Sequence, residues 1–401
     1  VLSFALFAKK IRQVRGLGMQ GLAVRLSKWV IAGFAGVALS GCAWFASDDR
    51  NDPVPLTAIE STTGASVAWR ASVGSGSGYG FAPAIIGDAV YAASANGNVA
   101  RLDLATGATV WNKNVARALS AGVGSDGQTV AVVTPQGEVI ALDANGEEKW
   151  RTRASSEVSI TPWVGNGVVV VRAGDYRIQA FNAENGDRIW NVQRPGPALA
   201  LRAPARMTMT QNLIIVGMPG GRVLAAEPAT GAVIWEGVVA AASGASDLER
   251  VNDVVGIPVV RDQKLCAVAY QGRVTCFDIE KGGQVAWARN FSSIVGLAVD
   301  ARHVYVPDAR DNVSALSMTD GQPVWRQDGL RNRQVTEPAA TGRAVVLGDY
   351  QGFVHVLSPD TGEFMARVAI GGGEMRAPVQ QTPQGVLVQA GDSSVALIRL
   401  D

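Results

Sequence analysis

Apolar residues along this chain come in runs of four to six, rich in Val, Ile and aromatic side chains and bounded by Gly, Asn and Asp. Ala89-Val-Tyr-Ala-Ala is followed by Gly97 and then by Val99-Ala-Arg-Leu. The same order returns as Gln128-Thr-Val-Ala-Val-Val, Gly137 and Glu138-Val-Ile-Ala-Leu, and as Arg343-Ala-Val-Val-Leu-Gly, Gly352 and Phe353-Val-His-Val-Leu. Runs of this length and composition, closed by turn residues, predict pairs of β-strands around tight turns. After residue 65 no stretch keeps a 3.6-residue period between helix caps, so a helical array is disfavoured.

A second pattern lies over the first. Six times a strand ends in a turn closed by Gly, and four residues later stands a Trp. The pairs are Gly107/Trp111, Gly146/Trp150, Gly186/Trp190, Gly231/Trp235, Gly283/Trp287 and Gly321/Trp325. A seventh copy keeps Gly362 but has Ala366 at the Trp position. A period of about 40 residues is that of propeller blades or helical repeats, and the strand pattern selects the first. Prolines at 83, 162, 204, 258, 338 and 378 mark an opening strand in most units, since Pro is tolerated at a strand start or edge. Each unit then holds four strands: one after the Pro, a hairpin, and one carrying the Trp. Whole units are expected at 81–115, 119–154, 159–193, 201–239, 254–291, 293–330 and 336–370. An eighth, 375–401, supplies only three strands. Trp69 has the setting of a Trp strand without partners before it. Residues 66–401 are therefore expected to form an all-β, eight-bladed β-propeller whose first strand completes the last blade, removing free sheet edges. The Trp side chains are expected to pack between neighbouring sheets and the Gly residues to serve turns that need positive φ.

Composition adds a separate module at the N-terminus. Arg25 and Lys28 precede the apolar run Trp29–Leu39, which Ser40-Gly41-Cys42 follows. This is the order of a secretory signal peptide, and the run is short for a spanning helix. Leu39-Ser-Gly-Cys42 resembles the lipobox of bacterial lipoproteins. That resemblance implies a signal peptide at 1–41, cleavage before Cys42, acylation of Cys42 and, with Ala rather than Asp at 43, an outer-membrane address. More than one acyl chain makes such an anchor stable. Met19 is a candidate start of translation. Residues 42–65, with Asp48-Asp-Arg-Asn-Asp-Pro-Val-Pro, can bury little and read as a flexible tether. The formal charge of +1 includes six cations before residue 42; setting them aside leaves 30 basic residues against 35 acidic, which gives no footprint for nucleic acid.

Candidate chemistry is sparse. The chain has two histidines, His303 and His355, too few for a multi-histidine metal site, and His355 is expected to face solvent or a blade neighbour. It contains no G-x-S-x-G, P-loop or H-E-x-x-H. Cys266 and Cys276 flank the Gly272 turn and could form a disulfide or remain two buried thiols. The Gly-to-Trp phrase resembles the tryptophan-docking motif of quinoprotein alcohol dehydrogenases, which carry pyrroloquinoline quinone, calcium and a vicinal disulfide. This chain has no Cys-Cys pair and no carboxylate set assignable to calcium. No catalytic residue, metal or cofactor is expected.

Lipobox, tether and Trp-ended repeats together resemble the BamB (YfgL) family, the propeller lipoproteins of the outer-membrane β-barrel assembly machinery. The resemblance spans nearly the whole chain. It implies a non-enzymatic, lipid-anchored subunit of the BAM complex that faces the periplasm. Such a subunit docks on the POTRA domains of BamA and helps deliver or position unfolded outer-membrane proteins. The family's docking segment has a Leu-x-Leu-Arg core, matched here by Leu199, Leu201 and Arg202, and acidic residues before a strand-opening Pro, matched by Asp253 ahead of Pro258. A second family acid is replaced by Val255. The residues themselves point to the same place. The longest Trp-to-Trp interval runs from Trp235 to Trp287, and its excess is the charged stretch at 237–255. Insertions in repeat proteins gather in loops on one face, often the binding face. Leu199 and Leu201, between Pro197 and Pro204, either form an exposed apolar anchor or pack beneath their own loop. Other readings are a propeller scaffold of another envelope complex, a chaperone that pairs client strands at a blade edge, or a quinone-dependent dehydrogenase.

Overall fold

Among the described residues of the computed structural model, the apolar runs become strands, and the strands fall into eight antiparallel sheets of four. The structure describes residues 51–201, 205–210 and 212–401. Cys42, the expected signal peptide and Arg202 lie outside the described residues. In blade one the strands are Ala84–Ile86, Ala89–Ala93, Asn98–Asp103 and Thr109–Asn114, ordered from the inner edge outward. Ala89–Ala93, like Thr129–Val133 of blade two, is buried at every position, which is why such segments read as unbroken apolar runs. The outer strand alternates exposed and half-buried residues, because one of its faces meets water.

Blades two to seven repeat this order within 124–153, 163–192, 207–238, 254–291, 298–327 and 339–369, matching the expected units. Blade eight takes Gln380–Thr382, Gly385–Gln389 and Ser394–Leu400 from the end of the chain and Ala65–Ser72 from its start. The two ends pair from Ala65↔Leu400 to Ser72↔Ser394, so Trp69 finds its sheet as expected. The molecule is an eight-bladed β-propeller.

The repeated phrase turns out to be two halves of two different joints. Each Trp reaches forward to the Gly turn of the next blade. Trp69 lies on Gly107, Trp150 on Gly186 and Trp190 on Gly231; a Cβ on those glycines would stand 2.5, 2.8 and 2.6 Å from the ring. All three have positive φ, so backbone and ring both require Gly. The indole N–H then donates to a carbonyl in the same turn: Trp69 to Leu104 O at 2.9 Å, Trp150 to Ala183 O at 3.0 Å, Trp190 to Pro228 O at 2.7 Å. On its own sheet each Trp stands beside a β-bulge, and in several blades it pairs with Ala, as in Ala141↔Trp150 and Ala180↔Trp190.

Ala366 follows from the same rule. In blade eight the turn that would receive a Trp is cut by the chain ends, where Asp401 N donates to Gly64 O at 3.0 Å. With no receiving Gly turn, a Trp at 366 would have no seat. A cavity of about 340 Å³ occupies that place, bordered by Met365, Val356, Thr63 and Asp401.

One finding departs from the sequence reading, and two others decide between alternatives it left open. Residues 53–64, the end of the expected tether, run along the propeller as a strap. Val54 N donates to Arg331 O at 3.0 Å, Arg333 Nη1 to Val54 O at 3.0 Å, Arg367 Nη1 to Thr57 O at 2.7 Å, and Leu56 packs against the same buried cluster as Trp325 and Phe364. His355 does not face solvent. It is fully buried, with Nε2 3.0 Å from Asp349 Oδ2, while its Nδ1 accepts from Arg367 Nε at 3.2 Å. Burial holds the imidazole below its ordinary pKa despite the Asp349 contact; burial also opposes ionisation of Asp349, but bonds from His355, Phe353 N and Arg333 outweigh it and hold that carboxyl below its ordinary value. Finally, Cys266 and Cys276 face each other across neighbouring strands of blade five and are joined as a disulfide.

Candidate partner-docking surface

The predicted docking residues lie on two successive outer-to-inner connections. Leu199 and Leu201 belong to the link between Arg188–Val192 of blade three and Met207–Thr210 of blade four. Asp253 closes the link between Val233–Val238 of blade four and Val254–Arg261 of blade five. The structure brings the two links into contact.

Leu199 is 45% and Leu201 36% exposed, so neither packs beneath its own loop. Asp253 has a different part from the one its sequence position suggested. It is buried, and its carboxylate is turned inward: one oxygen accepts from Leu201 N, the other from Gly220 N at 3.0 Å. A loop between two prolines makes few bonds of its own, and a buried N–H needs an acceptor. A carboxylate, which only accepts, can fix two backbone segments at once. Asp253 therefore holds the leucine loop in place instead of presenting its charge to a partner. Val255, at the position of the second family acid, is buried in the strand.

Two side chains complete the support, and sequence reasoning singled out neither. Arg172 ends the otherwise apolar strand Val168–Arg172 and donates to Gly217 O. Burial lowers its pKa to about 10, partly offset by attraction to Asp253; burial likewise raises the Asp253 carboxyl above its usual range. Tyr176, held at φ +68, donates its hydroxyl to Pro197 O at 3.2 Å, and its ring fills the space where a side chain on Gly196 would stand. A lone Arg closing a run of four Val was the available signal for the first. No local signal marks the second. Between these groups and the leucine loop lies a cleft of about 270 Å³.

The insertion after blade four is an exposed loop with its own internal ties. Glu249 accepts from Ala245 N at 2.7 Å and Ser246 N at 3.2 Å, and Asn252 Nδ2 donates to Ala240 O at 2.8 Å. At its tip Leu248 is 73% exposed, a residue the sequence reading passed over within its charged surroundings. Among the described residues no group of three or more His, Cys, Asp or Glu could hold a metal ion. Exposed leucines on a braced loop suit protein docking, where a few apolar anchors within a polar rim carry most of the affinity.

Residues 95–327 match the family profile described as "Outer membrane protein assembly factor BamB". The protein of that name from Bordetella pertussis is 54% identical over 364 residues, covering 90% of this chain and 94% of the relative. Among solved structures, BamB from Moraxella catarrhalis superposes with a TM-score of 0.77 at 24% identity, covering 84% of this chain and all of that one. The quinohemoprotein alcohol dehydrogenase of Comamonas testosteroni shares the propeller with a TM-score of 0.66 at 14% identity, covering 84% of this chain and 76% of that chain; this likeness is one of fold alone.

Proposed function

This chain belongs to the BamB family of outer membrane protein assembly factors, and we propose that it docks through the Leu199–Leu201 loop on the POTRA domains of BamA. It is a non-enzymatic component of the outer-membrane β-barrel assembly machinery, associated with the outer membrane and serving as a scaffold. Attachment through an acylated Cys42, after removal of residues 1–41, would put the propeller on the periplasmic side, where unfolded barrel proteins arrive.

The observation that carries the docking assignment is the exposure of two leucines on a loop whose backbone is clamped from below. An apolar side chain on a fixed loop binds without first ordering that loop, which lowers the entropic cost of association. Arg202, next in sequence, supplies the charged rim in this reading. Asp253 acts on docking indirectly, by keeping Leu201 where a partner can meet it.

The test is capture of BamA by the purified protein. Leu201→Ala combined with Arg202→Ala is expected to abolish capture and leave the thermal melt unchanged. Intact capture by that well-folded double variant overturns the assignment. Asp253→Ala is expected to weaken capture as well, with faster amide exchange in 197–201.

A further inference from the structure

Seven Trp residues reach a Gly turn in the next blade, and in six of them the indole N–H donates to a carbonyl of that turn. Trp235 differs. No turn carbonyl accepts its N–H, and its ring is turned so that the five-membered edge, not the six-membered one, meets Gly283. The six-membered ring lies over Gly237 of its own strand, with Phe277 edge-on at 5.0 Å between centroids.

Two changes in sequence permit this pose. The receiving turn, Asp278-Ile-Glu-Lys-Gly-Gly283, is one residue longer than Asp103-Leu-Ala-Thr-Gly107. Two positions after the Trp stands Gly237, where Lys113, Thr152, Val192, Arg289 and Gln327 occupy the other Trp strands of blades one to six. A side chain there would collide with the ring in its present position.

The place the indole takes elsewhere is here an open cavity of about 280 Å³. It is bounded by the Gly283 turn and by Ala225, the residue paired with Trp235, and lined by Leu213, Ile215, Val260 and Leu265. We propose that this seat binds an aromatic side chain of an extended polypeptide. The guest ring would take the position that the protein's own Trp fills at the other joints.

The chemistry of the guest follows from the seat. Six seats of the same build in the same molecule hold an indole, so the shape is that of a flat ring. No charged side chain lines the cavity, so the guest is neutral. An engineered apolar cavity of about 150 Å³ admits benzene, so this one has room for a bicyclic ring. Ile234, 62% exposed beside the mouth, offers apolar surface to the residues flanking such a ring, which favours a side chain on a chain over a free small molecule.

The test uses the full-length protein labelled with 5-fluorotryptophan, with the Trp235 signal assigned by Trp235→Phe. The probes are the peptide Gly-Gly-Trp-Gly-Gly, its Ala counterpart and free indole. Saturable movement of the Trp235 signal is expected with the Trp peptide and not with the Ala peptide, and binding of indole is expected to be at least tenfold weaker. Gly237→Thr combined with deletion of Lys281 restores a regular joint, returns the indole to its seat and should weaken peptide binding at least tenfold. Should that variant misfold, Leu213→Trp fills the seat from its mouth and is expected to do the same. The site is overturned if the Trp235 signal does not move, or if a folded blocking variant still binds. Equal affinity for indole and peptide overturns the polypeptide assignment.

Discussion

The joint from blade three to blade four and the joint from blade four to blade five are written with the same phrase, yet they are built differently. At the first, Trp190 is buried, lies on Gly231 and donates to Pro228 O at 2.7 Å. At the second, Trp235 is only partly buried, has turned along its own strand and leaves a cavity. The difference teaches that a Trp is seated by its neighbours: by the length of the turn that receives it and by the residue two positions after it. Blade five also carries the Cys266–Cys276 disulfide, between strands whose Leu265 and Phe277 line that cavity. The looser joint and the covalent staple lie in the same blade.

That contrast can be broken by experiment. The largest effect is expected from truncating the rings. Trp190→Ala removes a buried indole with its hydrogen bond and should cost about 3–5 kcal/mol in a denaturant or thermal melt, whereas Trp235→Ala should cost about half as much. Equal losses would mean that the turned Trp is as well seated as the regular one. Next comes the staple. Replacing Cys266 and Cys276 together by Ala opens a short loop and should cost about 2–3 kcal/mol. Amide exchange should rise in blade five first; a uniform rise would show that the disulfide stabilises the whole ring and not the loose joint.

Smaller effects separate the glycines. Gly231→Ala puts a Cβ against the Trp190 ring at a residue with φ +72 and should cost about 1–2 kcal/mol. Gly237→Thr should change stability by less than about 1 kcal/mol, because the displaced indole has its regular seat to return to. The smallest effect is one of pH, and it falls beside blade five. Burial raises the Asp253 carboxyl above its ordinary pKa. Its contribution to stability is therefore fully present below the unfolded value and is lost as pH rises through the folded one. Asp253→Asn should remove that decline from a plot of melting temperature against pH, and an unchanged slope would refute it.

Much of the fold could be read before any coordinates. Strand runs, Gly turns and Trp ends repeat because every blade solves the same packing problem, and repetition makes a weak local signal strong. Trp69 even disclosed how the ring closes. What stayed hidden depends on single long-range contacts. Residues 53–64 carry no period, since Arg333 and Arg367 hold their backbone and not their side chains. An Asp in a charged insertion looks solvated, and nothing local says that Asp253 is turned toward Leu201. At the candidate site, the exposure of Leu199 and Leu201 matched the first of the two readings their sequence allowed. The extra residue before Gly283 and the Gly at 237 were both visible, but only the ring of Trp235 gives them meaning.

The pairing of Ala65–Ser72 with Ser394–Leu400 also sets an order in time. A chain that emerges N-terminus first makes its opening strand long before the partner for that strand exists. Blades one to seven are each contiguous in sequence and can pair as they appear, whereas the eighth must wait for the final residues. Until then the first strand is an unpaired edge, open to wrong partners. Completion of the ring thus requires the strand at 394–400, and a chain shortened by that closing strand would remain an open arc.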